Sequence, residues 1–226
     1  MLTVYPDYES LSVAAAELIR SAARDAFLKR GRFDLVLSGG HTPRRCYELL
    51  APAIRLDVRL KGMLRVFWAD ERCVPPTDAA SNYRMANEAL LCPAGIAERN
   101  VFRIRGEAPD PAAEAERYAS VFPEASDLIV LGMGAEGHTA SLFPESPALK
   151  EMEKRFVAVT APVEPPRRIS LTPAGLLAAR RVVVIVSGAD KSAALARVLA
   201  EDGSINRTPA RLVRDATWLV DRAARG

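Results

Sequence analysis

Four runs of apolar, largely β-branched residues each end in a polar or glycine-bearing segment, and this repeated grammar constrains the chain more than any other feature. Phe33–Leu37 leads into Ser38-Gly39-Gly40, Leu64–Ala69 into Asp70-Glu71-Arg72, Asp127–Leu131 into Gly132, and Val182–Val186 into Ser187-Gly188. Helical spacing follows three of them. Pro43, Cys46, Tyr47, Leu49 and Leu50 start one helix with a proline in its first turn, a second is expected from about Ser81 to Leu91, and a third from about Lys191 to Leu199. An earlier amphipathic stretch, Ser10 to Arg30, reads as a helix closed by Gly31. The apolar runs are continuous rather than alternating, so each strand is expected to be buried on both faces. Strands of this kind alternating with helices imply an α/β fold with a mostly parallel central sheet flanked by helices.

The 226 residues, 49% of them hydrophobic, suffice for one large α/β domain or two small ones. The proline-rich patches at Glu107–Pro111 and Ala161–Pro166 are short, which suits loops better than interdomain linkers, so a single domain over residues 1–226 is expected. Thirty-one Lys and Arg against 28 Asp and Glu leave a net charge of only +3, with the basic residues scattered, which argues against a nucleic-acid partner. Cys46, Cys73 and Cys92 form no C-x-x-C pair; neither a disulfide framework nor a zinc ribbon is indicated, and a reducing cytoplasm is the expected location. The start MLTVYPDYES lacks the basic and apolar regions of a signal peptide, and no apolar run approaches the ~18 residues of a membrane span.

In open α/β sheets ligands bind beyond the carboxyl ends of the strands. The segment Ser38-Gly39-Gly40-His41-Thr42-Pro43 offers backbone amides at a helix start, with the Ser38 and Thr42 hydroxyls beside them, and suits a phosphate. The same residues also suit a tight turn with Thr42 as the helix cap. No Walker G-K-[ST] follows. Asp70-Glu71-Arg72 reads as a charged loop that either handles protons and grips a substrate or forms a solvated, salt-bridged turn. Ser81-Asn82 reads as a helix cap.

Gly132 to Pro144, GMGAEGHTASLFP, matches G-x-G-x-x-G after a strand. Against a dinucleotide site, Pro144 arrives before a long helix can form, and no acidic strand end follows about twenty residues later. The loop carries His138, one of two histidines, with Glu136 two residues before it. An imidazole suits proton transfer near neutral pH and a carboxylate can fix its tautomer; a solvated loop histidine is the plainer alternative. Arg168 and Lys191, each at a strand end or near one, are candidate anion partners or ordinary surface charges. There is no G-x-S-x-G elbow and no H-E-x-x-H, so neither a serine hydrolase nor a dedicated zinc site is indicated, and no metal is expected.

Taken together, LSGGHTP at 37–43, DER at 70–72, SNYRMANE at 81–88, DLIVLGMGAEGHTASLFP at 127–144, RRISLT at 167–172 and VSGADKSAAL at 186–195 resemble the 6-phosphogluconolactonases. The resemblance implies a Rossmann-like domain related to glucosamine-6-phosphate deaminase. It further implies hydrolysis of 6-phospho-D-glucono-1,5-lactone to 6-phosphogluconate, the second step of the oxidative pentose phosphate pathway, without a cofactor, by a monomer or small homo-oligomer. It places the substrate phosphate against Ser38, Gly39, Gly40, His41 and Thr42, with Arg168 and Lys191 as charged partners. His138 matches the catalytic histidine, and Asp70, Glu71, Arg72 and Asn82 match the polar wall. Two positions depart from the family pattern: Glu136 stands where Asp is usual, and His41 where Ser is frequent. The related deaminases carry a Glu five residues after the histidine, where this chain has Phe143, whose ring relays no proton. On the lactonase reading His138 takes a proton from the attacking water, and Arg72 or a backbone amide stabilises the oxyanion. A non-catalytic sugar-phosphate sensor is the remaining rival, and the N-terminus leads directly into the first helix without a DNA-binding segment.

Overall fold

The computed structural model describes residues 1–226. In chain order the strands are β1 (Leu2–Tyr5), β2 (Phe33–Leu37), β3 (Leu64–Trp68), β4 (Asp70–Arg72), β5 (Leu128–Leu131), β6 (Phe156–Thr160), β7 (Arg167–Leu171), β8 (Val182–Val186) and β9 (Thr217–Asp221). The helices are α1 (Tyr8–Arg30), α2 (His41–Leu56), α3 (Val58–Met63), α4 (Asn82–Ala86), α5 (Cys92–Ala94), α6 (Pro111–Val121), α7 (Pro173–Leu177), α8 (Ser192–Leu199) and α9 (Arg222–Arg225). None is long and apolar enough to cross a membrane.

Six strands form one wholly parallel sheet in the order β1-β9-β8-β5-β2-β3. Every residue of β2 and β5 is buried, as continuous apolar runs require when helices cover both faces. From β2 the chain steps outward to β3, then returns to the other side of β2 as β5 and continues through β8 to β9. The direction of winding therefore reverses between β2 and β5, and a crevice opens at their carboxyl ends.

The helix boundaries have local causes. Asp7 caps α1 by accepting from the Ser10 amide at 2.8 Å, and Gly31, at φ 67°, closes it in the left-handed conformation that favours glycine. This helix begins two residues before the expected Ser10. Pro43 falls in the first turn of α2 as expected, but Thr42 is not the cap: Gly40 holds that position, and no side chain satisfies the amides at the helix start. Ser81 caps α4 by accepting from the Arg84 amide. The helical path then runs past Leu91, through a π-helical turn over Asn87–Leu91, into α5.

Asp70-Glu71-Arg72 is not a loop. Ala69 leaves the parallel sheet with its amide still bonded to Leu37, while its carbonyl accepts from Leu171, and the next three residues enter a second, antiparallel sheet of order β4-β7-β6. Its register places Asp70 opposite Ser170 and Arg72 opposite Arg168. An aromatic cluster of Phe67, Tyr118, Phe122 and Phe156 packs the small sheet and α6 against the large one. The Tyr118 hydroxyl accepts from the Trp68 amide at 2.7 Å, fixing that junction. After β5 the chain forms turns, so the G-x-G-x-x-G segment opens no helix on which a pyrophosphate would sit.

Candidate active site

A cavity of about 410 Å³ lies at the carboxyl ends of β2, β5 and β8, flanked by β4 and β7. Ser38, Gly39, Gly40, His41, Thr42, Asp70, Arg72, Asn82, His138, Arg168 and Lys191 all line it; Glu136 and Glu71 do not. The sequence-predicted residues thus converge from six separate segments on one crevice.

One wall is the start of α2, where the uncapped amides of a 16-residue helix meet the positive end of its dipole. The Tyr8 hydroxyl bonds the carbonyls of His41 (3.0 Å) and Thr42 (3.1 Å), anchoring this turn from behind. Ser38 has no donor left for a ligand: its hydroxyl donates to the Val130 carbonyl at 2.8 Å and its amide to the Tyr47 hydroxyl at 3.1 Å. Its role is to tie β2 to β5, and the donors of this wall are those from Gly39 onward. At position 39 any side chain is excluded, because a Cβ would stand 1.7 Å from Asn82 Oδ1.

The opposite wall follows from strand periodicity. In β4, alternate residues share a face, so Asp70 and Arg72 point with Arg168 toward the cavity while Glu71 points away. Glu71 instead accepts from the amides of Arg72, Asn82 and Tyr83 at 2.8 Å each and from the Ser81 hydroxyl at 3.1 Å, holding the start of α4; burial pushes its carboxyl up to about 7. It belongs to the support of the wall, not to the wall. Asp70 accepts from Ser141 Oγ at 2.7 Å and from Asn82 Nδ2 at 3.2 Å, and Asn82 Oδ1 is buried with no partner.

Two guanidiniums directly opposite each other in a sheet repel. Arg168 is only 4% exposed, yet its sole protein hydrogen bond runs from Nε to the Pro165 carbonyl, 2.9 Å. Burial, and then the facing Arg72, lower its basicity from the usual guanidinium value. Arg72 donates to the Ala80 carbonyl, and its Nε is buried without a partner. Lys191 contributes a third cation, shared with Asp190 at 2.9 Å. Two guanidiniums with unused donors, and a lysine beside them, next to uncapped amides suit an oxyanion such as phosphate. Nowhere do three or more His, Cys, Asp or Glu side chains converge as metal ligands.

His138 sits at the third edge. Its Nδ1 lies 2.7 Å from Glu136 Oε1, which leaves Nε2 as the nitrogen without a protein partner. This hydrogen bond is the main reason the Glu136 carboxyl lies well below its usual range, at about 2. The longer Glu side chain therefore reaches the imidazole. Gly134 makes room for the pair, since a Cβ there would come within 2.1 Å of Nδ1, and Gly137 turns the loop at φ 98°.

Three contributors were given no place in the site by the sequence, although Phe143 marks a difference from the deaminases. Ser141 supports Asp70, Phe143 stacks against His138, and Asp221, at the end of β9, accepts from the Ser187 hydroxyl and the Gly188 amide to shape the loop after β8. Ser187 and Asp190 also line the cavity.

The parallel sheet thus carries, at its switch-point crevice, helix-start amides, two guanidiniums with unused donors and a carboxylate-held imidazole, the features of an α/β protein that binds a small anionic molecule. A family model described as glucosamine-6-phosphate isomerases/6-phosphogluconolactonase matches residues 6–220, and the chain belongs to that family. It is 42% identical over 175 residues to a 6-phosphogluconolactonase of Treponema pallidum, covering 74% of this chain and 72% of that one. The solved 6-phosphogluconolactonase from Trypanosoma cruzi superposes with a TM-score of 0.86 at 28% identity, covering 99% of this chain and 94% of that one. A monomeric glucosamine-6-phosphate deaminase shares the fold, at a TM-score of 0.80 and 23% identity over 99% of this chain and 98% of that one.

Proposed function

We propose that this chain hydrolyses 6-phospho-D-glucono-1,5-lactone to 6-phospho-D-gluconate, in the oxidative pentose phosphate pathway, with His138 moving the protons. The observation that carries the reading is that a single crevice joins the His138–Glu136 pair, held at 2.7 Å, to an amide and cation wall suited to a phosphate. The substrate has both features, a hydrolysable lactone carbonyl and a remote phosphate.

In this reading the phosphate is seated by the amides of Gly39, Gly40, His41 and Thr42, with Arg168 and Lys191 around it. Binding at this remote group orients C1 of the lactone and is available to lower the barrier at the reacting centre. Neutral His138 accepts a proton at Nε2 from a water attacking C1; Glu136, anionic throughout the working pH range, stabilises the imidazolium that forms. The carbonyl electrons move to an oxyanion, stabilised by Arg72, which lines the same crevice. When the oxyanion collapses, the C1–ring-oxygen bond breaks and His138 returns its proton to the leaving ring oxygen. Asp70 and Asn82, buried and tied to each other, present acceptors for the sugar hydroxyls. The side chain at 143 favours lactone hydrolysis over the deaminase reaction, because a buried phenyl ring carries no proton to an amine.

The test is the hydrolysis of freshly generated 6-phosphogluconolactone against its spontaneous hydrolysis in buffer, with and without chelator. A large, chelator-resistant acceleration is expected, with no ammonia released from glucosamine 6-phosphate. Well-folded protein that leaves the spontaneous rate unchanged overturns the proposal.

A further inference from the structure

His138, in the loop after β5, and Arg168, in β7, come from different segments, and each side chain has only one hydrogen bond to the protein. The imidazole is held at Nδ1 by Glu136, and the guanidinium at Nε by the Pro165 carbonyl. One hydrogen bond fixes one atom and leaves the plane of the group free to pivot about it. What the two groups share is Phe143. Its ring centroid lies 4.3 Å from that of His138 with 26° between the planes, and Arg168 Cζ lies 5.4 Å from the same centroid. Phe143 is 3% exposed and lends no atom to the cavity surface.

The backbone around this ring is unusual in a way that plain core packing does not require. Ala140 and Glu145, neither a glycine, adopt positive φ of 49° and 63° on either side of it. Such conformations cost free energy and persist only where the surroundings impose them. Here they are imposed: the Ser141 amide donates to Ser170 Oγ at 3.1 Å and the Glu145 amide to the Asn206 carbonyl at 2.8 Å, pinning the segment on both sides of Phe143.

We propose that Phe143 is a positioning residue for the hydrolysis, a single ring that sets both the plane of the proton-moving imidazole and the seat of the anion-binding guanidinium. The proposal rests on the lactonase reading above. It extends that reading by making the alignment of the base and the affinity for the phosphate depend on one buried side chain that touches no substrate.

The split between kinetic constants tests it. Phe143→Leu in the full chain is expected to lower kcat and raise KM for 6-phosphogluconolactone, each by on the order of tenfold. Phe143→Tyr, which keeps the flat face, restores both. Added to His138→Ala, the leucine change leaves kcat where the alanine has already put it, and added to Arg168→Ala it leaves KM likewise, since a residue that acts through another has no effect once that other is gone. Wild-type constants in Phe143→Leu, or losses that multiply on both backgrounds, overturn the proposal. If the leucine variant lacks a wild-type melting transition, Phe143→Met, of similar volume and without a ring, is read in the same way. Imidazole NMR separates this idea from the lactonase reading. His138 ring resonances in the leucine variant that match the wild type defeat the positioning role whether or not the lactone is turned over, whereas shifted resonances together with a wild-type protein that does not accelerate lactone hydrolysis defeat the lactonase reading alone.

Discussion

The two ends of the parallel sheet treat charge in opposite ways. At the amino end, Asp34 receives a bidentate Arg65, at 2.6 and 2.8 Å, and Arg32 at 3.5 Å, while Asp127 holds Arg30 at 2.6 Å and accepts the Asp34 amide at 2.9 Å. Both carboxylates are buried, and both are fully partnered. At the carboxyl end, Arg72 and Arg168 face each other across a strand pair with most of their N–H groups unused, and α2 begins with amides that no side chain caps. Buried charge without a partner is costly, so a fold keeps it where something else supplies the partner. One end is built to hold the sheet together, and the other is left incomplete for a ligand.

Four substitutions put this contrast under strain. His138→Ala strikes the open end hardest, with kcat expected to fall by about 10²–10⁴-fold at nearly unchanged KM; an unaltered kcat in steady-state assays would remove the residue from the chemistry. Asp127→Ala does the reverse, costing about 2–3 kcal/mol in denaturant unfolding by leaving the buried Asp34 amide and the Arg30 guanidinium without their acceptor, while kcat stays at the wild-type value. A loss of kcat there would show that the ends are not independent. Lys191→Ala removes a cation already shared with Asp190, so KM should rise by about tenfold with little change in kcat. The smallest effect is a slope. Glu71 holds its proton more tightly when folded, at about 7 against an ordinary 4.5, so its contribution to stability is full below the ordinary value and is lost as pH rises through about 7. Glu71→Gln should therefore flatten the fall of Tm across that interval, and parallel wild-type and variant profiles would contradict the origin of the shift.

The central strands β2, β3, β5 and β8 were legible because burial on both faces writes an uninterrupted apolar run, and their ends located the site. The small sheet was hidden for the complementary reason. β6 has one buried residue, Phe156, followed by half-buried and exposed ones, and β4 is three charged residues that read as a loop until β7 pairs with them. That pairing also decides which way Glu71 faces, a matter of register across about a hundred residues of chain. His138, Arg168 and the glycine amides announce themselves by residue type. Ser141 and Asp221 do not, since each acts through contacts made with distant segments, Asp70 and Ser187. Ser38 shows the converse: its type suits an anion, but a carbonyl on the neighbouring strand occupies its proton.

The place of β1 has a consequence for how the chain is made. Among the strands of the parallel sheet β1 comes earliest in the chain, yet its only neighbour is β9, with Met1 bonded to Ala216 and Trp218 and Leu2 aligned with Trp218. About two hundred residues of chain lie between the two strands of that seam, so the edge that β1 presents stays open until β9 has been made, and β9 is the strand that covers it.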